Sequence, residues 1–271
     1  MRGEPAIRLG TAAFTAAGWE GTFYPEGLAP GEAIRHYAEE FDTVEVDSTF
    51  YRVPNPRTIE GWNEKTPEGF IFALKVPRTI THEKVLQDCE RELWEFLAAI
   101  DPLGEKIGPL LFQFPYFNKK AFNNVEEFLD RLAPFLERLP KAYRFALDLR
   151  NKYWFKPPLL DLLREQRVAL ALVDHPWMLH PKDLMEKMDP VTTDFTYVRW
   201  LGDWKKMEEQ TKVWNQTLVD RTEDLREWVD VLRGIRQRGT TVFAFANNHY
   251  AGYAPDTARL VQKLWGERGH E

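Results

Sequence analysis

The chain has 271 residues, of which 44% are hydrophobic and 29% charged, so it can bury a large core and is neither disordered nor of low complexity. Acidic residues outnumber basic ones by 42 to 36, and the net charge of -6 argues against a nucleic-acid-binding protein that relies on bulk positive charge. The single cysteine, Cys89, excludes a disulfide framework and multi-cysteine zinc or iron–sulfur sites. With no apolar leader and no long apolar run, the sequence predicts a cytoplasmic protein without a membrane span.

Eight short apolar runs rich in β-forming residues recur along the chain, with starts about 33 residues apart, which is the length of a βα unit. Their repetition predicts the α/β class and a single TIM-like (β/α)8 barrel. The predicted strands are residues 7–14, 43–51, 70–76, 108–114, 144–150, 168–174, 195–201 and 241–248.

The segments between these strands carry apolar residues at helical spacing. Apolar stripes fall within residues 34–41, 86–100, 125–136, 225–235 and 255–265. Pro134 lies inside the third stripe and predicts a kink or a helix in two pieces. Because no linker or change of composition divides the chain, residues 1–271 are predicted to form one domain.

Charged residues fall late in the predicted strands. Because side chains alternate across a strand, many of them share a face with residues of the barrel interior. They form a predicted ring of Glu45, Asp47, Lys75, Asp148, Arg150, Asp174 and Arg199. Barrel enzymes build their active sites at the C-terminal ends of strands, so the ring predicts such a site. The alternative is a set of mutually satisfied ion pairs that only complete the barrel mouth.

The residue types suggest roles for members of this site. Glu45 and Asp148 are acid/base candidates, and Lys75 would neutralise developing negative charge, which makes these three the catalytic candidates. Arg150 and Arg199 would bind an anionic group. The predicted substrate-binding residues are Asp47, Tyr51, Gln113, Arg150, Asp174, Arg199, Asn247, Asn248, Tyr253 and Trp19.

Two further features flank the predicted strand ends. The segment 247–255 follows the eighth strand, where barrels often bind phosphate through loop amides; the alternative is a plain turn into the last helix. Aromatic residues at the same end suggest stacking on a sugar or base ring, although some must belong to the core. They are Trp19, Tyr24, Tyr51, Tyr116, Trp154, Trp177, Trp200, Trp204 and Tyr253.

Metal and cofactor signals are weak. His82, His175 and His249 lack metal-ligand spacing, so no cofactor is predicted, and a divalent metal held by the ring carboxylates with one histidine is the lesser alternative. No glycine-rich nucleotide motif is present. Cys89 lies on an apolar stripe and is interpreted as a core thiol.

Several segments together resemble one family, the YecE-like proteins, also called the DUF72 family. They are residues 44–51 (VEVDSTFY), 75–82 (KVPRTITH), 108–115 (GPLLFQFP), 197–199 (YVR) and 247–255 (NNHYAGYAP). The resemblance spans nearly the whole chain and implies a TIM-like barrel but no particular reaction. The family usually has Glu-Phe-Arg-His at 148–151 and a His-Gly pair at 201–202, where this chain has Asp-Leu-Arg-Asn and Leu-Gly.

The function predicted from these patterns is an enzyme that carries out acid/base or hydrolytic chemistry on a small anionic or polyhydroxylated substrate, such as a phosphorylated sugar or a nucleotide fragment. One alternative is a metal-assisted phosphodiesterase or endonuclease-like barrel that acts on nucleic acid, a partner that the net charge does not favour. The other is a barrel that binds a metabolite without turnover. The sequence does not indicate an oligomeric state.

Overall fold

The protein folds as an α/β barrel whose eight parallel strands alternate with helices. The computed structural model describes residues 7–267, so the ends of the predicted domain at residues 1–6 and 268–271 lie outside the described part. The strands are Ile7–Thr11 (β1), Thr43–Val46 (β2), Ile71–Lys75 (β3), Ile107–Gln113 (β4), Phe145–Asp148 (β5), Val168–Asp174 (β6), Phe195–Trp200 (β7) and Thr241–Ala246 (β8). The predicted TIM-like fold is confirmed.

Ten helices surround the strands in the described part of the chain, most of them amphipathic. They are Ala33–Tyr37 (α1), Pro56–Lys65 (α2), Glu90–Ile100 (α3), Val125–Glu137 (α4), Pro157–Gln166 (α5), Pro181–Lys187 (α6), Trp204–Gln210 (α7), Thr222–Gln237 (α8), Asn248–Ala251 (α9) and Ala254–Glu267 (α10). None of them is long and apolar enough to cross a membrane. α4 continues through Pro134 as one helix and is not divided into two pieces, although this proline cannot donate a backbone hydrogen bond.

Two apolar layers hold the barrel together. Small and aromatic side chains fill its interior: Ala73, Leu111, Ala146, Ala169, Ala171, Val173, Phe195, Tyr197, Phe243 and Phe245. The opposite faces of the strands pack against the helices in a larger core. Inward and outward residues therefore alternate along each strand, as in other closed parallel barrels.

Seven parallel ladders join the strands in the order β1-β8-β7-β6-β5-β4-β3-β2, which leaves β1 and β2 as neighbours without a ladder between them in the described chain. A side chain bridges this seam. The Tyr37 hydroxyl accepts a hydrogen bond from the Thr11 backbone at 2.9 Å and donates one to the Thr43 carbonyl at 3.1 Å. A side chain at Gly10 would begin 2.1 Å from that carbonyl, so glycine permits the close approach of the two strands.

Several strands end earlier than predicted, and local turns explain this. β2 stops at Val46 because a 3-10 turn, Asp47–Phe50, begins at the next residue. The Thr49 hydroxyl lies within hydrogen-bond distance of the carbonyl oxygens of Val46 (2.9 Å) and Lys75 (2.6 Å), which stabilises the turn. Asp47 therefore leaves the pleat of the strand while staying at the mouth of the barrel.

Candidate active site

Arg199, near the end of β7, lies at the centre of a buried cluster of charges. Its Nη2 is 2.7 Å from Glu45 Oε1, and its Nη1 is 2.9 Å from Asp148 Oδ2. A longer contact of 3.4 Å joins Nη2 to Asp47 Oδ1. Since the guanidinium donors are directed at three carboxylates, Arg199 holds the cluster together, and it also lines the cavity at the barrel mouth.

Glu45 is fully buried below the mouth. Its Oε2 accepts a 2.6 Å hydrogen bond from the Tyr197 hydroxyl, while Oε1 contacts Arg199. Burial raises the pKa of Glu45 above its usual range even though Arg199 favours the carboxylate, and the charge of Asp47 raises it further.

Asp148, at the end of β5, is buried to the same degree and lies between two arginines. Arg150 donates to both of its oxygens, with Nε 2.8 Å from Oδ1 and Nη2 2.9 Å from Oδ2. Burial works to raise the pKa of Asp148, but the charges of Arg150 and Arg199 outweigh it and hold this pKa below its usual range.

Of the three predicted catalytic residues, only Lys75 lines the cavity at the barrel mouth. Glu45 and Asp148 have no exposed surface and do not line the cavity. For them the alternative interpretation, mutually satisfied ion pairs, describes the geometry.

Lys75, at the end of β3, does reach the cavity. Its Nζ is 3.5 Å from Asp47 Oδ1 and 4.1 Å from the centre of the Phe50 ring. Among residues 7–267 no hydrogen bond to Nζ is present. Burial lowers the pKa of Lys75, against the opposing effect of Asp47, so the amine loses its proton more readily than an exposed lysine.

The cavity at the barrel mouth has a volume of about 310 Å³. Its lining consists of Lys75, Gln113, Tyr116, Arg150, His175, Trp177, Met178, Arg199, Leu201, Gly202, Trp204, Asn247 and His249. No carboxylate belongs to this lining within the described chain. Burial lowers the pKa of both His175 and His249, so both imidazoles favour the neutral form.

Tyr116, Trp177 and Trp204, which the sequence suggested for stacking on a ligand ring, line this cavity. Other lining residues were not among the predicted substrate-binding residues: His175, Met178, Leu201, Gly202 and His249. Both groups lie in the loops or helix starts that follow β4, β6, β7 and β8. The rule that barrel sites are built from the loops after the strands is the signal that could have identified them.

Asp174 does not face the cavity, although the sequence prediction placed it in the charged ring. Its Oδ2 accepts hydrogen bonds from Trp228 Nε1 at 2.6 Å and from the Tyr250 hydroxyl at 3.1 Å. The reason is alternation along β6: Ala171 and Val173 face the barrel interior, so Asp174 faces α8.

Trp19 and Tyr253 also lie away from the cavity. Both are buried, and their ring centres are 6.3 Å apart in an edge-to-face arrangement outside the barrel. Tyr51, which follows the 3-10 turn after β2, is 72% exposed and is absent from the lining. These aromatic rings are therefore not positioned to stack on a ligand held in this cavity.

The segment after β8 is organised as a turn into the last helix. Asn248 Oδ1 accepts a 2.9 Å hydrogen bond from the Ala254 backbone, and Asn247 Oδ1 accepts one of 3.0 Å from the His249 backbone. Gly252 has φ of 107°, and a side chain there would meet the Gln216 carbonyl at 2.7 Å. The close approach at this glycine is thus made by the protein's own chain, which favours the plain-turn interpretation.

Metal-ligating groups do not converge here. Within residues 7–267, no three His, Cys, Asp or Glu side chains are arranged to hold a metal ion. Three of the four ring carboxylates, Glu45, Asp47 and Asp148, lie around the Arg199 guanidinium, which occupies the central position.

Comparison with known proteins identifies the family. The profile described as "Protein of unknown function DUF72" matches residues 8–271. The chain belongs to the DUF72 family. It is 32% identical over 253 residues to the UPF0759 protein YecE of Escherichia coli, covering 86% of this chain and 84% of that protein. It is 26% identical over 267 residues to the UPF0759 protein YunF of Bacillus subtilis, covering 91% of this chain and 92% of that protein.

Solved DUF72 structures share the fold. A DUF72 family protein from Thermotoga maritima superposes with a TM-score of 0.73 at 26% identity, covering 97% of this chain and all (100%) of that one. A DUF72 family protein from Enterococcus faecalis superposes with a TM-score of 0.68 at 22% identity, covering 96% of this chain and 98% of that one. The resemblance inferred from the sequence motifs is therefore confirmed.

One departure from the DUF72 pattern has a structural role. Asn151 stands where the resemblance described from the sequence implies a histidine, and it is buried. Its Oδ1 accepts a 2.9 Å hydrogen bond from the Phe117 backbone, and its Nδ2 donates one of 2.8 Å to the Phe117 carbonyl. Asn151 thereby joins the loop after β4 to the loop after β5.

Proposed function

We propose that this DUF72 protein is an enzyme that binds a small anionic, polyhydroxylated substrate in the barrel mouth and uses Lys75 to transfer a proton. The observation that carries the proposal is the position of Lys75: a buried amine that lines the cavity, with a lowered pKa and without a hydrogen-bond partner in the described chain. Perturbed ionisable groups in a concave pocket are typical of catalytic sites.

The charge of the lining supports an anionic substrate. Lys75 and Arg150 are cations on the cavity wall, and the nearby carboxylates are committed elsewhere: Asp148 to two arginines and Glu45 to Arg199. Arg150 keeps donors beyond the two that it gives to Asp148. A phosphate or carboxylate at this wall would gain charge-assisted hydrogen bonds.

The chemistry follows from the lowered pKa of Lys75. The ammonium of a lysine with a lowered pKa gives up its proton more readily, so it can donate a proton to an oxygen of the bound anion and take one back later. The protonated amine would then be stabilised by Asp47, 3.5 Å away. Gln113 and Asn247 supply amide groups in the same lining that can orient hydroxyl or carbonyl groups.

The metal-assisted alternative receives no support from the donor set, because three of the four ring carboxylates surround Arg199. A barrel that binds a metabolite without turnover has the same cavity, so only turnover separates it from the proposed enzyme.

The test is a screen of phosphorylated sugars and nucleotides in deuterated buffer, followed by proton and phosphorus NMR. Wild-type protein should convert or deuterate at least one compound, and Lys75→Met should abolish the reaction. The matched control is Lys263→Met, which removes an exposed lysine on α10 and should keep full activity. Binding without turnover, or equal turnover by Lys75→Met, would contradict the proposal.

A further inference from the structure

Exposed aromatic side chains concentrate beside the candidate active site. Within residues 7–267, six aromatic residues are largely exposed: Tyr51, Trp94, Tyr116, Tyr153, Trp177 and Trp204. Four of the six, Tyr116, Tyr153, Trp177 and Trp204, line the mouth cavity or the cavity next to it. Because exposed apolar groups that cluster in a concave region mark binding sites, this distribution points to a ligand with an apolar or aromatic part.

The neighbouring cavity, which we call the aromatic cavity, has a volume of about 550 Å³. It is lined by Tyr116, Phe117, Lys119, Phe122, Asn123, Arg150, Asn151, Lys152, Tyr153, Trp154, Pro176 and Trp177. Tyr116, Arg150 and Trp177 line both cavities, so the two lie side by side and share these residues. A molecule bound against the shared residues is therefore next to both cavities.

The charge of the combined cleft is one-sided. Lys119, Arg150 and Lys152 line the aromatic cavity, and Lys75 and Arg150 line the mouth cavity. In neither lining does a carboxylate appear among the described residues, although the whole chain carries a net charge of -6. The cleft is thus complementary to a ligand that combines negative charge with a flat ring.

We propose that the substrate is a nucleoside phosphate, with its phosphate at Lys75 and Arg150 and its base against Tyr116 and Trp177 in the aromatic cavity. This inference rests on the proposed function and specifies its substrate class. A sugar ring can also pack against aromatic side chains, but cavities of about 310 and 550 Å³ together leave more room than a sugar phosphate fills. Any nucleobase can stack on such side chains, because every base has a flat aromatic face.

A mononucleotide fits better than a nucleic-acid chain. Each cavity has a volume in the range of about 300 to 1,000 Å³ that is typical of small-molecule sites. The exposed aromatic residues of the cleft line only these two cavities. Single-stranded nucleic acid needs a longer, positively charged groove that contacts several successive phosphates.

Calorimetry with defined probes tests the proposal. The probes are the monophosphates of adenosine, guanosine, cytidine and uridine, with ribose 5-phosphate and inorganic phosphate as ligands that lack the base. At least one nucleotide should bind more tightly than ribose 5-phosphate. Trp177→Ala should lower the affinity for that nucleotide by about 5- to 150-fold, the loss expected when one stacked base loses its partner. The same variant should weaken ribose 5-phosphate binding much less, because that ligand lacks the base.

Two further variants serve as controls. Trp177→Phe keeps an aromatic ring and should restore most of the nucleotide affinity. Trp94→Ala removes an exposed tryptophan on α3, outside both cavities, and should have no effect on binding.

The outcomes separate the two proposals. If ribose 5-phosphate binds but no nucleotide binds more tightly, the nucleotide assignment is overturned while the proposed function stands. If neither nucleotides, ribose 5-phosphate nor phosphate binds, both fail. Binding of a short single-stranded oligonucleotide without binding of any mononucleotide would overturn the assignment in favour of a nucleic-acid surface.

Discussion

The Tyr197 hydroxyl donates a 2.6 Å hydrogen bond to Glu45 across the inside of the barrel, joining β7 to β2. Both side chains are fully buried, so this bond is shielded from water. It also leaves Glu45 with a partner on each oxygen, because Arg199 contacts the other one.

Tyr197→Phe should destabilise the fold by about 1.5 to 3 kcal/mol, since it leaves a buried carboxylate oxygen without its donor. Urea unfolding of the variant and of wild-type protein measures the difference. Tyr153→Phe, at a residue that is 81% exposed, is the control and should change stability by no more than about 0.5 kcal/mol. Equal stabilities for both variants would show that the Glu45 contact contributes nothing.

Arg199→Met should cost about 3 to 5 kcal/mol, because it leaves Glu45 and Asp148 buried without their shared cation. The comparison is Arg238→Met, which breaks a surface pair with Asp189 whose side chains are 45% and 44% exposed. That change should cost at most about 1 kcal/mol. Chemical denaturation measures the free energy of unfolding of both variants. Similar losses of stability would argue against a structural role for the Arg199 cluster.

Lys75→Met should leave stability at neutral pH unchanged or raised, because burial of the ammonium opposes folding. The pKa of Lys75 is lowered from 10.5 in the folded protein, so between the lowered pKa and 10.5 the unfolded chain binds the proton more readily. Wild-type stability should therefore rise with pH relative to Lys75→Met over that window. Unfolding curves at several alkaline pH values test this; a constant difference between the two proteins would refute it.

His82 should make the fold sensitive to mild acid. Its ring contacts Phe50 at 4.9 Å, and burial together with the charges of Lys75 and Arg78 lowers its pKa to about 4 from 6.5. The unfolded chain thus binds a proton that the folded chain does not, so stability falls as pH drops from 6.5 towards 4. His82→Gln should flatten this decline in thermal melts. Parallel curves for the two proteins would contradict the prediction.

The fold could be predicted because the βα repeat is a property of the whole chain. The strand ends could not, because they depend on single contacts such as that of Thr49 with the Lys75 carbonyl. Alternation placed Glu45, Lys75 and Asp148 on the interior side correctly. It could not show that Glu45 and Asp148 lie too deep to reach the cavity, since depth depends on the packing of layers above them.

Asp174 shows a different limit. Both faces of β6 are apolar, because one packs inside the barrel and the other against helices, so the sequence carries no sign of which face is inward. His175 and Trp177 line the cavity because of the conformation of the loop after β6. Hydrophobic periodicity does not predict the conformation of a loop.

The seam between β1 and β2 bears on how the protein is made. β1 forms its only ladder in the described chain with β8, so within this barrel the strand that is synthesised first pairs its backbone with the strand that is synthesised last. Until β8 has been made, β1 has no ladder partner. The Tyr37 hydroxyl, which reaches both Thr11 and Thr43, offers β1 an attachment to β2 before that point.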